Sequence, residues 1–176
     1  MFNILIMSQA QVRFATYDKP YAIIGLRGIN ETFPKYQDSS YLVDVLTLSV
    51  DDITEPEENK VLFSYIHALQ ILNFVEKYKN TIDLLIIHCN AGISRSPAVA
   101  ASLSIIYNIN DYHTYFFLYE PNIHVFSTLM SVYATYKRDI LEGRIKFPDK
   151  PLIYNNKELQ SEIANVSPII RLDKNI

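Results

Sequence analysis

The residues that could do chemistry lie in one run, His88-Cys89-Asn90-Ala91-Gly92-Ile93-Ser94-Arg95-Ser96-Pro97-Ala98. Five residues separate Cys89 from Arg95, Ser96 follows directly, and small, helix-compatible residues come next. Ahead of the run lies Asp83-Leu84-Leu85-Ile86-Ile87, an apolar stretch that reads as a buried strand. The order is therefore strand, tight loop, helix. Such a loop turns backbone N–H groups inward at a helix N-terminus and makes an anion site there. A cysteine in that field loses its proton readily and becomes a nucleophile. An arginine adds a planar fork that fits two phosphate oxygens. A strand-end cysteine is by itself a common packing residue. Gly92, Arg95 and Ser96 at these offsets lift Cys89 out of that reading.

These residues resemble the His-Cys-x5-Arg-Ser/Thr signature of the cysteine-dependent protein phosphatases, above all the compact dual-specificity group. The resemblance spans about residues 20 to 141. It implies that Cys89 attacks phosphorus to form a phosphocysteine, and that Arg95 binds the phosphoryl oxygens. It also implies that Ser96 helps the sulfur leave, and that His88 holds the loop and keeps the thiolate stable. Asn90, Ala91, Gly92, Ile93 and Ser94 would line the phosphate with their backbone amides. A weaker resemblance, in the start of the chain and the Asp-Asp-Ile wording, is to short bacterial tyrosine-phosphatase-like proteins.

Cleaving a phosphate ester also requires a proton for the leaving oxygen. In the resembled family an aspartate on a movable loop supplies it, upstream of the signature strand. Leu48-Ser49-Val50-Asp51-Asp52-Ile53-Thr54 occupies that place. The family's Val-Glu-Asp pattern selects Asp52, with Asp51 in the position of the non-catalytic acid. Read without the family, both are solvated acids ahead of a helix, where they favour its dipole. Downstream, Tyr119-Glu120-Pro121-Asn122-Ile123-His124-Val125-Phe126 partly resembles the family's Ser-Pro-Asn-x-x-Phe element. Glu120 stands in the serine slot, and Thr128 replaces the usual glutamine. Asn122 thereby inherits the steadying of the catalytic loop; from its residue type alone it is a helix N-cap.

The elements that must position these groups follow from periodicity. Residues 2–7, 22–26, 41–48 and 83–88 read as strands. Thr54 and Glu57 have capping-box spacing with Pro56 in the first turn, so a helix is expected from Thr54 to about Lys79. Its core stripe would be Leu62, Ile66, Leu69, Leu72 and Val75. Further helices are expected over 95–107, 111–119 and 123–141, the last ended by Gly143, with a weak one over 157–164. Alternating strands and helices give an α/β fold with a central, mostly parallel sheet flanked by helices. The resemblance makes it the protein tyrosine phosphatase type. The reactive loop then sits at the carboxyl end of a strand, where such sheets bind ligands.

At 176 residues and net charge −3, the chain fits a phosphatase domain over 1–143 and a C-terminal extension, 144–176, of unassigned role. The charge gives no reason to expect nucleic acid or an anionic membrane as a partner. Cys89 is the only cysteine, which excludes an internal disulfide and argues against a cysteine-based zinc site. The expectation is a cytoplasmic enzyme with no metal and no cofactor, acting on phosphorylated proteins. The first residues lack a basic lead and read as a strand rather than a secretory signal. Among the histidines outside the signature, His67, His113 and His124 read as structural or surface groups. Arg27 and Lys35 could reach a substrate. Rivals are the same chemistry on a phosphoinositide or an RNA 5′ phosphate, arsenate reduction, and a silent module that binds phosphoproteins. The loop interior lacks the basic residues of the first two, and arsenate reductases of the related kind use extra cysteines. Silent modules typically lose the cysteine, the arginine or the acid.

Overall fold

The computed structural model of the chain describes residues 2–109 and 111–141. Four strands, β1 (Asn3–Ser8), β2 (Tyr21–Arg27), β3 (Leu42–Ser49) and β4 (Leu84–Cys89), form one sheet in the order β1-β4-β2-β3. Every pairing is parallel. The expected sheet is thus present, each strand within a residue or two of its sequence reading. β2 and β4 are central and buried almost throughout, which is why they read as unbroken apolar runs rather than alternating ones.

Alternation sorts the side chains onto two faces. Ala22, Ile24, Leu26, Leu85, Ile87 and Cys89 face the main core, shared with the helices α2 (Tyr65–Tyr78), α3 (Arg95–Tyr107) and α5 (Ile123–Leu141). Tyr21, Ile23 and Ile86 face a smaller cluster closed by Val12 of α1 (Gln9–Val12) and by Tyr17 and Tyr36. A short α4 (His113–Leu118) leads into α5. Ala98, Ala100 and Ala101 are fully buried, so α3 lies close against the sheet beneath the loop it begins from.

The helix expected from Thr54 starts instead at Tyr65. Residues 51–61 form a closed loop. The Asp51 N–H donates to the Val61 carbonyl at 2.8 Å, and the Val61 N–H donates to Asp51 Oδ2 at 2.8 Å. Asn59 takes a left-handed φ of 57° within it. The side chain of Asp51 thus closes a loop that the Thr54/Glu57 spacing had suggested was helical. The effective cap is Ser64, whose N–H and hydroxyl both meet His67 Nδ1. The later start also moves the stripe: Leu72 and Val75 are in the core, but Leu62 and Ile66 are not, and His67, Ala68, Ile71 and Phe74 are buried. The sequence reading also left α1 unassigned. Gly143, the boundary at 143 and the 157–164 stretch lie outside the described residues. Among the described residues no helix is long and apolar enough to cross a membrane.

Candidate active site

β4 delivers His88 and Cys89 to the carboxyl edge of the sheet, paired with Met7 and Ser8 of β1. The chain then turns through residues 90–94 into α3. Gly92 makes the turn possible. Its φ is +77°, and a Cβ there would sit 2.9 Å from the Met7 carbonyl oxygen and 3.0 Å from the Ser8 nitrogen. The loop's carbonyls are engaged from outside. Gln9 N–H donates to Asn90 O at 3.0 Å, Glu120 N–H to Ile93 O at 3.1 Å, and Asn122 N–H to Ser94 O at 3.1 Å. On the inner side, the backbone amides of Gly92 and Ser96 bear on the Cys89 sulfur.

Cys89 lies inside this cradle, 2% exposed. The Ser96 hydroxyl donates to its Sγ at 3.2 Å. Burial alone would push the thiol's pKa up. The Ser96 hydroxyl, the Ser96 and Gly92 amides and the Arg95 charge outweigh it, and the net shift is downward. The same donors that lower it stand where a phosphoryl group would be received.

Arg95 is held from behind: its Nη1 donates to the Val50 carbonyl at 2.7 Å. Its Nε is buried without a hydrogen-bond partner and stands 3.7 Å from Asp52 Oδ2. Asp52 in turn is fastened to the loop. Its Oδ1 accepts from Ser94 Oγ and from Asn122 Nδ2, both at 2.8 Å. Asn122 does several things at once. Its Nδ2 also reaches the Ile53 carbonyl at 3.2 Å, and its Oδ1 accepts the N–H groups of His124 and Val125, capping α5. The two sequence readings of Asn122, cap and loop support, describe the same side chain.

His88 is fully buried and points to the opposite side of the loop. Its Nε2 lies 2.8 Å from the Tyr36 hydroxyl, and its Nδ1 lies 3.4 Å from the Cys89 carbonyl. Burial lowers its pKa to about 4, so the imidazole is neutral, and burial raises that of Tyr36, so the phenol keeps its proton. A carbonyl can only accept, so the contact to Cys89 puts the ring proton on Nδ1, and Nε2 then accepts from the Tyr36 hydroxyl. Gly25 beneath leaves the room: a Cβ there would lie 2.6 Å from His88 Nε2.

Arg27, at the end of β2, is buried and ion-paired through Nε to Glu31 Oε2 at 3.0 Å. The same Glu31 oxygen accepts the Gly28 N–H at 3.0 Å, and the other lies 3.4 Å from Asn90 Nδ2 on the phosphate loop. The Gly28 N–H holds the Glu31 carboxyl below its ordinary pKa, burial opposes it, and Arg27 and Arg95 add to the lowering. Arg27 is thus engaged through Nε by a neighbouring acid, while its buried Nη1 has no hydrogen-bond partner, and Lys35 is exposed on the connection from β2 to β3.

The structure thus gathers Cys89, Arg95, Ser96, Ser94, Asp52 and Asn122 around one cradle, with His88 behind it. Asp51 is turned away to Val61. Sequence reasoning missed Tyr36 and Glu31, both from a long polar connection without regular structure. The signal that could have found Glu31 was its spacing of four from Arg27. Nothing local marks Tyr36.

The sequence matches no protein-family model and no curated protein. Solved structures do match. Human tyrosine phosphatase-like serine/threonine/tyrosine-interacting protein aligns at 19% identity over 76% of this chain and 93% of that one, with a TM-score of 0.56. PTPMT1 in complex with PI(5)P aligns at 16% identity over 81% and 94%, with a TM-score of 0.52. Human DUSP28 aligns at 13% identity over 77% and 94%, with a TM-score of 0.50. The fold is that of the dual-specificity type of cysteine phosphatase.

Proposed function

We propose that this chain is a cysteine-dependent phosphatase that hydrolyses phosphorylated proteins through a phosphocysteine intermediate. The observation that carries this reading is the placement of a thiol with a lowered pKa, a buried arginine Nε and an exposed carboxylate around one cradle of inward-facing amides.

In the first step Cys89 Sγ attacks phosphorus, the S–P bond forms, and the bond to the leaving oxygen breaks. The loop amides and the Arg95 guanidinium balance the charge on the equatorial oxygens. Asp52 gives its proton to the leaving oxygen. In the second step Asp52 takes a proton from water as that water attacks phosphorus. The S–P bond breaks, and the Ser96 hydroxyl steadies the departing thiolate. His88, Ser94 and Asn122 are positioning residues: the first sets the loop, the other two set Asp52. Each step uses only groups of this chain, so the reaction proceeds with no metal and no cofactor.

The catalytic unit is assigned to residues 1–143, with 144–176 as an extension. A cytoplasmic, reducing setting follows from the need to keep Cys89 reduced without a second thiol to protect it. The rival reading, a silent binding module, leaves the lowered thiol pKa and the fastened acid without a purpose. The test is hydrolysis of an aryl phosphate with chelator present, comparing wild type with Cys89→Ser. Metal-independent turnover that vanishes in the variant supports the reading. Turnover lost on adding chelator, or retained in the variant, overturns it.

A further inference from the structure

The residue before the nucleophile is held by a segment without regular structure. Tyr36 lies in the connection between β2 and β3, and its hydroxyl is 2.8 Å from His88 Nε2. The two rings meet edge to face, their centroids 5.7 Å apart. The connection is fastened on both sides of Tyr36. Thr32 O accepts from Gln9 Nε2 at 3.4 Å, Pro34 is buried, and Gln37 Nε2 donates to Arg13 O at 3.1 Å. The phenol is thus presented to the imidazole from a tethered backbone. β2 leaves the space: a Cβ on Gly25 would lie 2.6 Å from His88 Nε2 and 2.8 Å from the Tyr36 oxygen.

His88 has no exposed surface, and each ring nitrogen faces one protein group. A neutral imidazole carries one proton, and the hydrogen bond made by one nitrogen decides which of the two holds it. With the proton on Nδ1, the ring donates to the Cys89 carbonyl. With the proton on Nε2, a lone pair on Nδ1 faces that carbonyl oxygen, and two acceptors repel. The Cys89 carbonyl belongs to the peptide that leads into the phosphate loop. The choice of nitrogen therefore decides whether the start of the loop is held or pushed away. Arg27, at the end of β2, acts on both rings, and its positive charge opposes a second proton on the imidazole. The choice stays between two neutral forms.

We infer that Tyr36 is a positioning residue for the cysteine: by donating to His88 Nε2 it keeps the ring proton on Nδ1, and so holds the Cys89 carbonyl and the start of the phosphate loop in place. It takes no part in the bond-making steps. Its effect on turnover rests on the phosphatase reading, whereas the tautomer and the reactivity of the thiol are properties of the free protein. The amides of Gly92 and Ser96 help to lower the thiol's pKa. A displaced Cys89 carbonyl disturbs that alignment, so loss of the hydroxyl leaves the thiol less acidic.

The experiment compares wild type with Tyr36→Phe, which keeps the ring and removes the hydroxyl. It reads the His88 tautomer from long-range proton–nitrogen NMR correlations, Cys89 alkylation rates against pH, and kcat/KM on an aryl phosphate. Wild-type His88 is expected to carry its proton on Nδ1. In the variant the Nε2–H form is expected to appear, the thiol to titrate higher, and kcat/KM to fall by about 10- to 100-fold. A wild-type ring protonated on Nε2 overturns the inference, whether or not the variant folds. So does a variant in which either the tautomer or the alkylation profile matches wild type, even with a lower unfolding midpoint, because a merely structural hydroxyl costs stability alone. The expected changes in tautomer and alkylation, in a protein whose wild type turns over no phosphate ester, overturn the phosphatase reading and leave this inference standing.

Discussion

Asn122 Nδ2 lies 2.8 Å from Asp52 Oδ1, a hydrogen bond between residues seventy apart that ties the acid's loop to the start of α5. The same side chain caps the helix through its oxygen. The two duties can be separated by substitution. Asn122→Ala removes both and is expected to lower kcat by about 10- to 100-fold through a misplaced acid, and stability by about 1 kcal/mol through the lost cap. Asn122→Asp keeps a capping oxygen but loses the amide donor and sets a second carboxylate against Asp52. It should recover stability, not kcat. Thermal midpoints and steady-state kinetics on both variants test this. Recovery of kcat in Asn122→Asp would assign the residue to the helix alone.

The neighbouring acids should differ in kind. Asp52→Asn is expected to lower kcat on an unactivated phosphate ester by about 10²- to 10⁴-fold, with less effect on an aryl phosphate whose leaving group needs no proton. Asp51→Asn weakens the closure to Val61 and should cost about 1 kcal/mol of stability with turnover largely kept. Comparable kinetic losses in the two would dissolve the assignment.

Ser96→Ala removes the donor 3.2 Å from Sγ. The second step then has a poorer leaving group, so the phosphocysteine should accumulate. Rapid mixing is expected to show a burst of product close to the enzyme concentration, followed by slow turnover. The thiol of the variant should also titrate higher, because the hydroxyl is one of the groups that lower it. Alkylation rates measured against pH would show that shift, and an unchanged profile would count against the hydroxyl as a thiolate donor.

Gly92→Ala places a Cβ 2.9 Å from the Met7 carbonyl oxygen on a backbone that L-residues avoid. The left-handed conformation alone costs about 1–2 kcal/mol. The collision with β1 adds to that and distorts the cradle. Both the unfolding midpoint and kcat/KM should fall, and a variant with wild-type values in both would refute the constraint.

Burial depresses two histidines, His67 and His88, from 6.5 to about 4. Between those values the unfolded chain binds protons that the folded chain does not, so stability rises with pH there and is lost as pH falls from about 6.5 toward 4. Urea midpoints at pH 7 and pH 5 should differ in that direction. His67→Gln, which cannot take up the proton, should show a smaller difference than wild type.

Some of this was legible because it is local. The strand at 84–89, the glycine-bearing turn and the small residues of α3 lie within one stretch of chain, and each obeys a short-range rule. An apolar run buries, glycine alone takes the positive φ, and small residues let a helix lie close. The start of α2 was not legible, because Thr54 and Glu57 have capping spacing and nothing in their vicinity reveals that Asp51 closes a loop onto Val61. Tyr36 was invisible for the same reason: its partner His88 is fifty-two residues away.

By itself, the sequence determined which residue types lie together: a lone cysteine separated by five residues from an arginine, at the end of a buried strand, with an acid pair upstream. What only the tertiary structure decided is which acid is tied to the loop that carries Arg95, and what holds each group in place. Asp51 and Asp52 are chemically alike and adjacent, so residue type cannot rank them; direction does. Asp51 turns to the Val61 amide, while Asp52 turns to Ser94 and Asn122. Those partners come together only when β4, the 51–61 loop and α5 pack, because a hydrogen bond depends on distance in space and not along the chain.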